Sequence, residues 1–309
     1  MIYNHDMTKE EIIDFLRKKY PSREIKFIGS GSDSTAFRIG DIVVRVPHTE
    51  NNIGLYLHEE SVCKAIKKFI DFDIPNITVH QDDILWIEHK IVDGKKWSWH
   101  KFMFHPKKQK NLGISLARFM AQLHSKKASD AIKKAKNIQK YKYVYMPYEQ
   151  VLPYLSNIIR PKQLEFFRKH YEEIVSKPVP ENDMVLCHLG IKGPNSVVDD
   201  KGNLTGVFDF CNAGIYERWR DMVLLYLFAP LYLWNVFCHE YKRITGVTID
   251  TKRISDLATI EFLWAKRWFK NDNFKPLGQH FVAKNIAAAM AHFHGLPKIT
   301  MWWWFYTKK

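Results

Sequence analysis

His188-Leu189-Gly190-Ile191-Lys192-Gly193-Pro194-Asn195, followed by Asp209-Phe210-Cys211, is the stretch on which the reading of this chain turns. Between the two segments, Asn195 to Val198 and Leu204 to Phe208 read as short apolar strands. Asp199-Asp200-Lys201-Gly202-Asn203 joins them with residues that favour a turn, because Asx side chains bond their own backbone and Gly accepts positive φ. Polar residues at strand ends are ordinary turn chemistry when taken alone, so the meaning of this segment depends on what surrounds it.

Outward toward the N-terminus, Thr8 with Glu11 has the form of a capping box, and Ile12, Ile13, Phe15 and Leu16 give the helix it opens an apolar stripe that Pro21 terminates. Glu24 to Gly29, Thr35 to Ile39 and Ile42 to Val46 read as an antiparallel meander, with Gly40-Asp41 as a two-residue hairpin turn. Asn52 to Ile70 is helical in pattern. Ile77 to His80 and Ile84 to Glu88 are further strands around the polar Gln81-Asp82-Asp83. These elements make a small mixed lobe over residues 1–92. Beyond Gly94 the pattern lengthens into helices, with Leu112, Leu116, Phe119, Met120 and Leu123 on one face, a similar stripe from Leu164 to Val175, and helix from Asp221 to the end. Residues 93–309 therefore form a second, helical lobe, and the fold class is α+β.

Within the small lobe, Gly29-Ser30-Gly31-Ser32-Asp33-Ser34 lies between the first two strands, where glycines let backbone N–H groups approach and cradle an anion. Arg45 sits in the apolar third strand, and a charge there is tolerated only if it is paired. Glu59, on the next helix, is the partner expected, an arrangement that kinase-like folds use to hold the α- and β-phosphates.

With these residues in view, the chain resembles the aminoglycoside phosphotransferase family, relatives of the protein kinases that include choline and macrolide kinases. His188 and Asn195 match the ends of its H-x-D-x-x-x-x-N catalytic loop, and Asp209 matches its downstream metal-binding aspartate. Asp209-Phe210-Cys211-Asn212-Ala213-Gly214 followed by Asp221, the helix ending Leu123-His124-Ser125, and the hinge-like Glu88-His89-Lys90-Ile91-Val92-Asp93-Gly94 agree in order, over about residues 24 to 225. The resemblance implies a two-lobed protein-kinase-like fold and transfer of a phosphoryl group from ATP or GTP to a hydroxyl of a small-molecule acceptor. It implies that Gly29, Ser30, Gly31 and Ser32 cover the phosphates, that Arg45 and Glu59 grip them, and that backbone groups of Glu88, His89, Lys90 and Ile91 meet the base. Asn195 and Asp209 then hold Mg²⁺, a cation suited to one amide and one carboxylate oxygen, and His188 shapes the catalytic loop.

Two positions depart from the pattern. Arg45 stands where a lysine is usual, exchanging a compact ammonium for a planar fork. Gly190 stands where the family carries the aspartate that accepts the hydroxyl proton, a contribution of about 10²- to 10⁴-fold in rate. A pseudoenzyme that binds nucleotide and Mg²⁺ as a switch or scaffold is therefore a second reading.

The chain of 309 residues carries 47 Lys and Arg against 33 Asp and Glu, a formal charge of +14. Such a field attracts polyanions, which admits nucleic acid as a partner and an RNA kinase as a third reading, although no RNA-binding motif supports it. The Lys-rich stretch from Lys126 to Lys142 reads as a solvated face. Basic residues outnumber acidic ones beyond Asp221, which disfavours a polycationic acceptor. Trp234, Trp264, Trp268, Trp302, Trp303 and Trp304 read mainly as core and secondarily as stacking surfaces. Cys63, Cys187, Cys211 and Cys238 show no metal or disulfide spacing and the N-terminus does not read as a signal peptide, so a cytoplasmic protein is expected. Met222 to Trp234, the longest apolar run, is too short for a bilayer span and reads as a buried core helix.

Overall fold

The fold begins where the capping box places it. Thr8 Oγ1 accepts from Glu11 N and Glu11 Oε2 accepts from Thr8 N, opening helix α1 (Lys9–Lys19). The computed structural model describes residues 7–31, 33–49, 52–139, 149 and 161–265. Strands β1 (Ile25–Ser30), β2 (Ser34–Ile39), β3 (Ile42–Pro47), β4 (Thr78–Gln81) and β5 (Leu85–Lys90) form one antiparallel sheet in the order β1-β2-β3-β5-β4. Gly40, at φ 63°, makes the tight β2–β3 turn, and Ile39 pairs with Ile42 across it.

The period of two divides this sheet into two faces. Phe37, Ile39, Val44, Val46 and Trp86 pack with Ile12 and Leu16 of α1. Arg45, Ile87 and His89 point to the opposite face, toward helix α2 (Ile53–Ile66), which a single 3₁₀ turn, Lys67–Phe69, extends. Tyr56, Val62, Cys63 and Ile66 of α2 belong to the larger core, which continues through Leu85 and Ile87 into the helical region.

That region contains β6 (Lys95–Lys96), α3 (Trp99–Phe102), α4 (Pro106–Leu123), α5 (Lys126–Lys134), α6 (Pro161–Ser176), β7 (Met184–Cys187), β8 (Ser196–Val198), β9 (Leu204–Val207), β10 (Gly214–Glu217), α7 (Val223–Phe228), α8 (Leu231–Thr245) and α9 (Thr251–Ala265). Helices α4 and α8 lie close enough that a Cβ on Gly113 would stand 3.0 Å from Leu233 O. Arg253 of α9 grips Glu217 through two hydrogen bonds of 2.6 and 2.8 Å, and both residues are buried. The fold is a mixed α+β architecture, an antiparallel sheet region followed by a helical one.

Three features differ from the sequence reading. The Met222 to Trp234 run is two helices, α7 and α8, because Pro230 cannot continue the first and starts the second. Strands β6, β7 and β10 are not signalled by alternation. β7 is a short continuous apolar run, and it takes its strand form from β10, whose Gly214 pairs with Cys187 and Glu217 with Met184. Asn195 lies in a 3₁₀ turn, Gly193–Asn195, one residue before β8. Among the described residues no helix is long and apolar enough to cross a membrane. Residues 266–309, including Trp268 and Trp302 to Trp304, lie outside the described set, as does the side chain of Trp264. Trp234 is a core residue beside Tyr226 and Phe237.

Gly94 tests the packing where the chain leaves the first sheet. Its φ is 144°, and a Cβ there would stand 2.6 Å from Thr205 Oγ1 and 2.7 Å from Val197 Cβ. Gly94→Ala is expected to cost about 2 kcal/mol through backbone strain and overpacking, read as a lower urea midpoint. An unchanged midpoint would show that β8 and β9 yield freely at this point.

Candidate active site

The site is assembled at the ends of β3, β7 and β9. Arg45 Nη2 lies 2.5 Å from Glu59 Oε2, and the carboxylate is 1% exposed. Glu59 also reaches out of the small sheet region, because its Oε1 accepts from Phe210 N at 3.1 Å and its Oε2 is 3.2 Å from Cys211 Sγ. Burial works to raise the Glu59 carboxyl pKa, but the adjacent guanidinium outweighs it and holds the group below its ordinary range. One carboxylate thus joins strand β3, helix α2 and the Asp209-Phe210-Cys211 segment.

On the other side, β7 delivers His188 and Leu189 to the cleft, and Asp221 fixes them there. Its carboxylate accepts from His188 N at 2.8 and 3.0 Å and from Leu189 N at 2.5 Å, and lies 3.2 Å from His124 Nε2. Leu189 has φ 61° and Asp209 φ 71°, two of the four non-glycine residues with positive φ among those described. Such conformations cost about 1–3 kcal/mol each and persist only where neighbours over-determine them. His188 Nε2–H donates to Phe208 O at 3.1 Å, its ring packs edge-on against Phe210, and burial lowers its pKa, which keeps the imidazole neutral.

The β8–β9 hairpin places Asn195 next to this loop. Phe208 N donates to Asn195 O, and Asn195 Nδ2 donates to Gly190 O at 3.0 Å, leaving Oδ1 for another partner. The Asp209 carboxylate receives no hydrogen bond from the described residues. Burial, and after it the proximity of Glu59, raises its pKa. A carboxylate held in this way is relieved by a cation, and one amide oxygen with one carboxylate oxygen is a donor set that fits Mg²⁺. Glu59, although within 4.8 Å of the same cluster, is already neutralised by Arg45.

The glycine turn closes by Gly31 N donating to Ser34 O. A Cβ on Gly29 would meet nothing within 4 Å and one on Gly31 only Ser34 O at 3.8 Å, so packing within the chain does not demand glycine at either position. Ser30 Oγ, Thr35 Oγ1 and His48 Nε2 lie within 3.1 to 3.2 Å of one another and tie the turn to the end of β3. Thr35 and His48 are not evident from sequence; only the β2–β3 register, which pairs Ser34 with Pro47, brings them here. Ser32 lies outside the described residues.

At the hinge, Ile91 N donates to Asp41 O, which sets the phase of the β5 main chain. Glu88 is paired with Val44 on one side and Thr78 on the other, and its side chain accepts from Tyr20 OH on the α1 face, so it is not brought to the cleft. Lys90 lies past the end of β4 and presents its main chain to the open edge, while His89 Nδ1 stands 2.7 Å from Lys90 O.

Removing the Glu59 charge leaves the half-buried Arg45 without its carboxylate partner. Glu59→Gln is expected to destabilise the fold by about 3 kcal/mol, as for other buried pairs stripped of one partner, and to lower the melting temperature by several degrees. A shift under one degree would mean that Arg45 finds water when its partner is gone.

The model of the phosphotransferase enzyme family (APH) matches residues 24–243. The fold is similar to that of the wild-type aminoglycoside 2'-phosphotransferase-IIIa solved with GDP, with a TM-score of 0.71 at 16% identity over 91% of this chain and 99% of that one. It is also similar to aminoglycoside phosphotransferase APH(2'')-Ib bound to ADP, at 0.61 and 17% identity over 91% and 97%. The apoenzyme of macrolide 2'-phosphotransferase MphH from Brachybacterium faecium gives 0.62 at 16% identity, over 91% and 96%. At these identities the likeness speaks for the kinase-like fold alone, whereas the family match covers the catalytic loop, the Glu59 cluster and Asp221 together, and on it this chain belongs to the phosphotransferase enzyme family.

Proposed function

We propose that the chain transfers the γ-phosphoryl group of ATP or GTP to a hydroxyl of a small acceptor, with Mg²⁺ at Asn195 and Asp209, and that Gly190 makes it slow. The observation that carries this reading is the Glu59 carboxylate, which holds Arg45 and Phe210 N at once and so brings a phosphate-binding cation beside Asp209. Structures of similar fold with GDP, ADP or ATP bound support the choice of a nucleotide.

In this scheme the glycine turn covers the phosphates and the Arg45 fork, fixed by Glu59, grips them. Mg²⁺ would supply neutralisation of charge on the phosphate oxygens. The acceptor oxygen bonds to the γ-phosphorus as the bond to the β–γ bridging oxygen breaks. With glycine at position 190 the hydroxyl proton passes to a phosphate oxygen or to water and not to a carboxylate. Phosphoryl transfer rests mainly on positioning and charge stabilisation, so turnover survives this loss at reduced rate. Gly190 also favours the second reading, a nucleotide-binding protein without transfer.

ATP or GTP with Mg²⁺ should raise the melting temperature, because a ligand that binds only the native state stabilises it by mass action. Asp209→Ala should abolish the Mg²⁺-dependent part of the shift. The absence of any shift at millimolar nucleotide and Mg²⁺ would count against both readings.

Gly190→Asp separates the two. A Cβ at 190 would stand 3.2 Å from Asn195 Nδ2 and 3.4 Å from His188 Nδ1, so a modest adjustment of the Asn195 side chain admits it, and the backbone has no positive φ that would resist. Nucleotide hydrolysis, with water replacing the acceptor, should rise by roughly 10² within the usual range of general-base assistance, at unchanged nucleotide affinity. Normal nucleotide binding with no gain in turnover would put the binding-protein reading first.

A further inference from the structure

Behind the catalytic loop lies a second concavity of about 600 Å³, none of whose lining residues belongs to the glycine turn or the hinge. Its walls come from the 3₁₀ turn after α2, the α4–α5 turn, Arg218 and the C-terminal end of α8. Lys68, Lys127, Arg218 and His124 line it, and among the described residues no aspartate or glutamate does. Phe69 and Val247 are among its apolar lining. A volume of this size, lined by both apolar and cationic residues, falls in the range of small-molecule sites.

Charge accounting narrows the ligand. Carboxylates bonded to lining residues are already used: Asp183 lies 2.8 Å from Arg218 Nε, Asp71 accepts from Gln122 Nε2 at 2.6 Å, and Asp221 holds His124. Lys67 and Lys126 have carboxylate partners, Asp73 at 3.4 Å and Asp130 at 3.0 Å. Their sequence neighbours Lys68 and Lys127, the two that line the concavity, have no carboxylate partner among the described residues. Lys68 Nζ instead lies 5.0 Å from the Phe69 ring centre. Two ammonium groups thus remain uncompensated at one concave surface, beside an arginine that is 8% exposed and held in place by Tyr241 OH. That surplus matches the charge of one phosphate monoester.

We propose that this concavity binds a small phosphate monoester carrying an apolar group, with the phosphate between Lys68 and Lys127 and the apolar part against Phe69 and Val247. The proposal goes beyond phosphoryl transfer and does not depend on it. Its wall is also the back of the catalytic loop, because His124 bridges Tyr241 OH at 2.9 Å and Asp221, which holds the His188 and Leu189 amides.

Phenyl phosphate is a suitable probe, titrated calorimetrically into the full chain with inorganic phosphate and phenol as its two halves. One equivalent of phenyl phosphate should bind more tightly than either half, and binding should persist when ATP and Mg²⁺ are saturating. Lys68→Glu with Lys127→Glu should weaken it at least tenfold. Both lysines are exposed, so the fold should survive, and Lys68→Gln with Lys127→Gln gives the same reading without charge reversal. The proposal is overturned if millimolar phenyl phosphate does not bind, if the lysine variants bind it as the parent does, or if ATP displaces it. Should ATP itself fail to bind, the lysine variants still decide the matter, so failure here and failure of the phosphotransferase reading are distinguishable.

Discussion

The carboxylate of Glu59 is withdrawn from water, and a buried charge of this kind is costly unless every direction it faces is answered. Arg45 answers one oxygen, Phe210 N the other, and the Cys211 thiol adds a third contact. These partners come from two places in the chain: strand β3 and the consecutive residues Phe210 and Cys211. The position of helix α2 against the small sheet and the position of Asp209 in the cleft therefore depend on the same group. A shift of α2 away from the sheet would leave two opposite charges and one amide unsatisfied together.

Asp221 does comparable work behind the cleft, with strain as what it contains. Leucine at φ 61° is disfavoured because its Cβ crowds the following carbonyl. Two consecutive amides, those of His188 and Leu189, converge on one carboxylate, which fixes the peptide that enters the left-handed residue. The Asp221 side chain is itself held by His124, which the Tyr241 hydroxyl orients and which stands at the end of α4. Loop conformation is in this way anchored in the helical core, through buried polar groups.

Much of this was legible in the sequence, for reasons that differ between regions. The capping box at Thr8, the Gly40 turn and the alternation in β2 and β3 are local signals, and local physics was enough to place those elements. Arg45 in an apolar strand required a partner, and Glu59 is that partner. Its second bond, to Phe210 N, crosses between elements far apart in sequence and leaves no periodic trace in either. The same holds for β7 and β10, short strands that exist because they pair with each other, and for the Ser30, Thr35 and His48 cluster that only register creates. Glu88 illustrates the converse: a hinge-like position in the sequence, it sits between β3 and β4 in the sheet, and its alternation turns the side chain to Tyr20.

The glycine at position 190 has no structural requirement behind it. Its backbone does not occupy the left-handed region, and the nearest atom to an added Cβ belongs to a side chain. What keeps the loop in shape is main chain and amide: Asn195 Nδ2 bonds Gly190 O, Asn195 N bonds Lys192 O, and Ser196 Oγ bonds the same carbonyl. None of these interactions needs a side chain at position 190. The conformation of the loop therefore rests on groups other than a side chain at position 190, and a substitution there can be read apart from the folding of the loop. The positive φ of Leu189, beside the grip of Asp221 on its amide, and the unbonded Asp209 carboxylate, held by burial, likewise owe nothing to a side chain at position 190.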